Sequence, residues 1–498
     1  MIEKGISTMQ TWLSALLSLA LLTVSSWLIA DTQRTELDAI VVLDSSGSMK
    51  KTDPKQLRKP AAKLFISLLG EDDRVSVMSF SDNAYPITYL TQLSTASNKQ
   101  KTLNATEKVS HKGVYTNIHA ALARSIRILD ESADPEHDKM IVLLSDGQMD
   151  VGNSAQSQAL KNKIVDDLIP QLQDKNIRVY SIAFTDASDQ QLLQTIAEES
   201  DGRYALATTD KELHKVFTQI FEQSKQPDML PLAENKFTVD PSIREVTIVA
   251  NKANESSLIR LRSPNGENYS AQQHPQNILW FKSSSFDMIT LKKPEAGEWR
   301  ILFSDNDNSA YIVTDLQLKS DYSNTDNNYT FNSQLLKDGV PTRESNLLEG
   351  IHFTYEIDLP DGTLETIDLD TNADNTQTGT ISTTFTAKQA GIYNVTITAI
   401  APTFERQNYF SFRIKEWVQA SPEEPKEVAP KVVKLEPAKA LAEPEETVKE
   451  EAPVDDNVMT IILFFAGNTF FIVIGLSVFF WLRMKKKKAL KAAEESES

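Results

Sequence analysis

The chain has 498 residues, 51 Lys+Arg against 69 Asp+Glu, a formal charge of −18 and no cysteine. Such a length predicts about three domains. The acidic balance excludes nucleic acid as a partner, because that needs a basic face. The lack of Cys excludes disulfides, thiolate metal sites and Cys nucleophiles. None of the six His sits in an H-E-x-x-H pair, which argues against a zinc hydrolase.

The first segment, 1–30, is uncharged and mostly apolar from Thr11 to Ala30, with Lys4 before it and a polar turn at Asp31. It reads as a signal peptide cleaved near Ala30 or as an N-terminal anchor. From Asp38 to about Gln223, apolar strand-like runs (39–43, 74–80, 140–144, 177–184, 203–207) alternate with helix-period stretches (56–69, 118–129, 156–175, 190–199, 211–223). That alternation predicts an α/β doubly wound, Rossmann-like domain over 36–225, its mostly parallel sheet covered on both faces.

Three motifs fall at strand ends in this domain. Asp44-Ser45-Ser46-Gly47-Ser48 follows the first strand, Gly113-Val114-Tyr115-Thr116-Asn117 precedes a helix, and Ser145-Asp146-Gly147 ends a strand. Ligands of an open α/β sheet gather beyond the strands' carboxyl ends, so these loops can converge. Hydroxyl and carboxylate oxygens are hard donors that suit Mg²⁺, Mn²⁺ or Ca²⁺.

On these residues the chain resembles the von Willebrand factor A (VWA) family, with the three elements of its metal-ion-dependent adhesion site (MIDAS) in the family's order. The resemblance implies that Ser46 and Ser48 ligate a divalent ion through their hydroxyls. Asp44 and Asp146 act largely through bound waters, and Thr116 binds directly or through water. It implies an open coordination position that a partner's Glu or Asp carboxylate fills, and a last helix (211–223) that shifts on binding. Tyr115 stands where many relatives carry a small residue; it either narrows the rim or packs within its loop.

After Pro231 strands and turns dominate, and two signals repeat. Pro264-Asn265-Gly266 recurs as Pro360-Asp361-Gly362, and Ala296-Gly297-Glu298-Trp299 as Ala390-Gly391-Ile392-Tyr393. Both Asn-Gly and Asp-Gly favour tight hairpin turns through positive φ. The repetition predicts two all-β sandwich domains, 231–320 and an Ig-like 323–416, with Trp299 and Tyr393 as core anchors. Asp368 to Asp374 spaces oxygens like a calcium loop, but Asn375 replaces the glycine of that pattern, so the segment reads as a solvated loop.

The stretch 420–456 holds six prolines and many Glu and Lys, an extended linker or stalk reaching up to about 115 Å. Residues 457–482 are uncharged and apolar, enough for one transmembrane helix (458–482), and the basic tail 483–498 places the C-terminus in the cytoplasm. A cysteine-free exported region suits a bacterial inner membrane with the bulk of the chain in the periplasm or outside. No phosphate loop or nucleophile elbow is present, and the chain reads as a non-enzyme. The functional expectation is a membrane-anchored, metal-dependent protein-binding receptor for adhesion or scaffolding. The alternative is a subunit of a larger inner-membrane complex in which the exported part is an assembly scaffold.

Overall fold

The computed structural model describes residues 36–371 and 379–415. The two apolar terminal segments, the linker and the basic tail lie outside them. Among the described residues no helix is long and apolar enough to cross a membrane.

The first domain is a seven-stranded sheet of β1 (Leu37–Asp44), β2 (Arg74–Phe80), β3 (Ala84–Pro86), β4 (Thr91–Gln92), β5 (Asp138–Ser145), β6 (Ile177–Ala183) and β7 (Tyr204–Leu206). Its order is β3-β2-β1-β5-β6-β7, with β4 also on β2. The pairs of β1, β2, β5, β6 and β7 are parallel, and β3 and β4 add short antiparallel edges. Helices α1 (Met49–Thr52), α2 (Arg58–Leu68), α3 (Ala96–Glu107), α4 (Ile118–Ser132), α5 (Ser154–Lys163), α6 (Ile169–Asp174), α7 (Gln190–Glu199) and α8 (Asp210–Lys225) complete it. Burial on both faces explains the unbroken apolar strands. Ala39, Val41 and Leu43 of β1 enter one core with α2 and α8, while Ile40 and Val42 enter the other with α4 and α7.

Three local differences from the sequence reading have physical causes. The helix expected from 56 starts at Arg58, because Gln56 is left-handed (φ 57°) and the Asp53 carboxylate accepts the Leu57 amide at 2.6 Å. The helix expected over 156–175 is interrupted by a π turn, Ile164–Leu168, just before Pro170. A proline lacks the amide for the i−4 bond and crowds that carbonyl, and the wider turn accommodates both defects. Helix α3 escaped the sequence reading because it buries only Thr102, Ala105 and Thr106, too small a set to print an apolar stripe.

The second domain packs two four-stranded sheets formed by β8 (Lys236–Val239), β9 (Ile243–Asn251), β10 (Arg260–Arg262), β11 (Asn268–Tyr269), β12 (Ile278–Lys282), β13 (Phe286–Lys292), β14 (Gly297–Leu302) and β15 (Ser309–Thr314). The third comprises β16 (Leu316–Thr325), β17 (Asn328–Lys337), β18 (Val340–Pro341), helix α9 (Ser345–Leu348), β19 (His352–Asp358), β20 (Leu364–Asp370), β21 (Thr380–Thr386), β22 (Gly391–Ile400) and β23 (Glu405–Ile414), again in two sheets. Each pair of sheets shares one apolar core. The sequence repeat is a repeated corner. Trp299 donates its indole N–H to Glu295 O, and Tyr393 its hydroxyl to Gln389 O, both four residues back. A Cβ on Gly297 or Gly391 would lie 2.9 or 2.5 Å from the Cβ of Pro264 or Pro360. In the two turns only Gly266 and Gly362 take positive φ; Asn265 and Asp361 do not.

The three domains are not beads on a string. Helix α8 lies between α2 and the first sandwich, and Val249, Phe286 and Tyr311 of that sandwich join the core beneath it. Phe221 meets Tyr311 edge-on at 5.1 Å and His214 meets Phe286 at 4.7 Å. Beyond α8 the chain forms a stitch between sandwiches: Met229 exchanges both backbone hydrogen bonds with Gln407 of β23, and Leu230 N donates to Ala310 O. Arg406, wholly buried, binds Asp240, Ser242 and Thr314 of the first sandwich from the second.

At the α8 interface the Glu222 carboxyl accepts from Tyr311 Oη (2.7 Å) and Ser309 Oγ (3.4 Å), and burial pushes it up to about 7. A raised carboxyl contributes fully below its ordinary 4.5, and that contribution is lost as pH rises to 7. Urea unfolding of wild type and Glu222→Gln at pH 5 and 7.5 should show wild type losing about 1–3 kcal/mol relative to the variant at the higher pH.

Candidate metal centre

The connection from β1 runs first to β2 on one side and later to β5 on the other, so β1 and β5 flank the switch point where an open sheet leaves a crevice. Asp44 ends β1 and Asp146 follows β5. Asp44 is fully buried with both oxygens held: Oδ1 accepts the Ser46 amide at 2.8 Å and Oδ2 the Ser145 hydroxyl at 2.7 Å.

Asp146, 2% exposed, gathers the hydroxyls. Its Oδ1 accepts from Ser48 Oγ at 2.9 Å and Ser46 Oγ at 3.3 Å, and the two serine oxygens are 2.8 Å apart. Its Oδ2 accepts from Thr52 Oγ1. Ser46 and Asp146 are buried, whereas Ser48 is exposed, so the cluster opens to solvent over Ser48.

Thr116 arrives on a separate loop tied down twice. Gly113 N donates to Ser45 O at 2.9 Å, and Thr116 and Asp150 exchange both backbone hydrogen bonds. Glycine is required at the crossing: a Cβ on Gly113 would sit 2.2 Å from Ser81 Cβ and 3.0 Å from Ser45 O. Gly147 leaves a gap under Thr116, since its Cβ would lie 3.3 Å from Thr116 Oγ1 and 3.9 Å from Ser48 Oγ. Tyr115 packs its ring on Gly152 of the loop after β5, whose Cβ would meet it at 2.7 Å.

Electrostatically the cluster is strained toward a cation. Burial first, and the Asp146 charge second, push Asp44 up to about 6, against the hydrogen bonds from Ser46 and Ser145. Two close carboxylates roofed by rotatable hydroxyls, with a cradle that a side chain at 147 would fill, form a donor set that fits a small hard divalent ion. All five sequence-predicted residues thus come to one place: four join through direct hydrogen bonds and Thr116 across Gly147. Thr52 and Ser145 were missed. Thr52 lies four residues beyond Ser48, on the same helical face, and Ser145 was inside a motif already singled out.

Elsewhere, Asp368 and Asp370 lie on β20, where they accept from Thr354 Oγ1 (2.8 Å) and pair with His352 Nδ1 (2.9 Å). Residues 372–378 of that acidic loop lie outside the described residues. Among the described residues no group of three or more His, Asp or Glu is placed to hold a metal.

Comparison with known proteins gives two family matches. Residues 38–219 match the profile of the von Willebrand factor type A domain, and 220–316 that of the Hemicentin galactose-binding domain-like family. The inter-alpha-trypsin inhibitor heavy chain H2 of Mus musculus is 30% identical over 192 residues, 36% of this chain and 19% of that protein. An uncharacterized protein of Synechocystis sp. is 30% identical over 193 residues, 38% of this chain and 42% of that one. This chain therefore matches about a fifth of the length of the heavy chain. Among solved structures, a von Willebrand factor type A protein from Catenulispora acidiphila is 15% identical over 68% of each chain, with a TM-score of 0.33.

The close crossing at Gly113 gives a direct check. Gly113→Ala should lower stability by about 1–3 kcal/mol as the loops part, read as a lower urea midpoint. Gly47→Ala, whose Cβ meets only Gly113 O at 3.1 Å, should cost less.

Proposed function

We propose that this chain, in which residues 38–219 are a von Willebrand factor type A domain, is a membrane-anchored, divalent-metal-dependent protein-binding receptor. Domains of this family generally mediate protein interaction or adhesion. The observation that carries the reading is the convergence of Asp44, Ser46, Ser48, Thr116 and Asp146 at the switch point. When bound there, Mg²⁺ (or Mn²⁺ or Ca²⁺) supplies a Lewis acid toward a partner's carboxylate. Ser46, Ser48 and Thr116 would hold it through hydroxyls, while Asp44 and Asp146 balance its charge. A site with only two protein carboxylates merely neutralises a divalent ion, so an incoming Glu or Asp still finds attraction there.

The proposed role is recognition rather than catalysis, in keeping with a family whose domains generally mediate protein interaction. The membrane part of the proposal, with the domains outside the cytoplasm, rests on the apolar segment 457–482 and the basic residues after it, and the lack of cysteine supports a bacterial inner membrane. Packing of the von Willebrand domain onto both sandwiches supports presentation of the metal face on one solid body.

Isothermal titration of the full chain with Mg²⁺ should show one site at pH 7.5, weakened at least about tenfold by Ser46→Ala or Asp146→Ala. Affinity should fall about tenfold per pH unit below about 6, where the Asp44 proton competes with the ion. Affinity capture in Mg²⁺ should retain a protein with wild type but not in EDTA or with Asp146→Ala. Equal capture in all three would move the contact surface to the sandwiches.

A further inference from the structure

Beside the metal face a groove runs between edge strand β3 and the first turns of α4, a cavity of about 530 Å³. His119, three residues past Thr116, is among its lining residues. Asn117, next to Thr116, caps α4 by accepting the Ala120 amide at 3.0 Å and donates its side-chain N–H to Asp82 O at 3.1 Å, tying the start of α4 to the turn before β3. Ala120 and Ala123 give it a shallow floor, Tyr85 and Pro86 form one wall, and Arg124 and Arg127 the other. These positions recur every three or four residues, so they share one helical face.

Two features say what fits. In a chain of net charge −18 this groove is lined by two arginines and no carboxylate. Neither arginine makes an ion pair among the described residues; Arg124 only approaches the Tyr89 hydroxyl, at 3.4 Å. His119, also lining it, is held below its ordinary value by burial and then by Lys163, and so contributes a neutral ring. The Asp82 carboxylate, which is not among the lining residues, accepts the Ser81 hydroxyl (2.7 Å) and the Tyr85 hydroxyl (3.0 Å), and these bonds hold it in its ionised form. Tyr85, Tyr89 and Val114, at 48%, 60% and 77% exposure, surround the groove and the metal loop with uncovered apolar surface. Arginine beside tyrosine is the chemistry of interface anchors.

The strand edge, by contrast, is closed to β-addition. Ile87 N donates to Val77 O, and the β2–β3 register then turns the Tyr85 amide inward and positions 84 and 86 outward. The Ala84 amide is taken by Asn83 Oδ1 at 2.8 Å, and Pro86 has none. An occupant is therefore read by its side chains and not by strand pairing.

We propose that this groove is the second half of the partner site: it receives a short acidic, extended segment of the protein whose neighbouring carboxylate reaches the metal. From His119 to Arg127 the helix rises about 12 Å, which spans about four extended residues. Arginines grip their carboxylates through paired N–H groups. The placement of the groove beside a metal contact rests on the metal-dependent reading above; its charge preference does not.

Fluorescence polarisation of a labelled penta-glutamate peptide with the full chain tests both. Penta-glutamate should bind in Mg²⁺ and penta-glutamine should not, and Arg124→Glu/Arg127→Glu should weaken binding about tenfold with an unchanged melting temperature. In EDTA wild-type binding should drop while the difference between wild type and double variant persists. Loss on charge reversal with no effect of EDTA would leave the groove standing and remove the metal from the account. Equal binding by wild type and double variant, or no binding up to about 1 mM peptide, would overturn the proposal. So would binding of an oligogalacturonate in place of the peptide, which would give the groove to an acidic glycan.

Discussion

Two carboxylates that face each other at the end of a parallel sheet set the terms for the rest of this molecule. Asp44 is sealed from water and Asp146 nearly so, and close like charges in a poorly hydrated site oppose each other. The fold meets that opposition by surrounding them with donors: the Ser46 amide and Ser145 hydroxyl on Asp44, and the hydroxyls of Ser46, Ser48 and Thr52 on Asp146. Those donors come from neighbouring strand ends only because β1 lies between β2 and β5. The loops cross closely at position 113 only because it lacks a side chain. Each serine hydroxyl can turn its lone pairs toward a cation, so the arrangement that relieves repulsion without an ion is also one that would suit it.

The second constraint is mechanical. Helix α8 carries Phe217 into the core against Phe65 of α2, and on its other side Phe221 and Glu222 engage Tyr311 of the first sandwich. Immediately after it, Met229 is paired to β23 of the second sandwich. A movement of this helix in response to ligand, which the family resemblance implies, has to break contacts on both sides and pull on both sandwiches. The buried Arg406, with partners in the first sandwich, leaves little freedom between the two β domains. These contacts couple α8 and both β domains to one another.

Much of this was legible in sequence, for identifiable reasons. Strands such as Ala39–Leu43 are apolar at every position because both faces are covered, and the motifs at their ends carried the site residues intact. The repeated Pro-x-Gly and Gly-x-Trp or Gly-x-Tyr signals were visible because the same corner packing recurs in both sandwiches. Helix α3 was not legible, being a polar helix with a small buried face. The docking of the first sandwich on α8 was equally hidden. Val249, Phe286 and Tyr311 look like ordinary strand residues, and nothing local says that they face another domain. Thr52 was hidden because its role depends on a carboxylate 94 positions away. The two arginines beside the metal face were invisible for the opposite reason: a helix with Arg at the surface is unremarkable until the opposing strand edge is known.

The central claim is that the hydroxyl roof over Asp44 and Asp146 exists to hold a hard divalent ion. Anomalous diffraction from crystals of the protein grown with Mn²⁺ measures this most directly. One strong peak is expected in contact with Ser46 Oγ and Ser48 Oγ, with Asp146 Oδ1 released from both. A structure with Mn²⁺ in the medium, no peak at that position and the serine–Asp146 hydrogen bonds intact would contradict it.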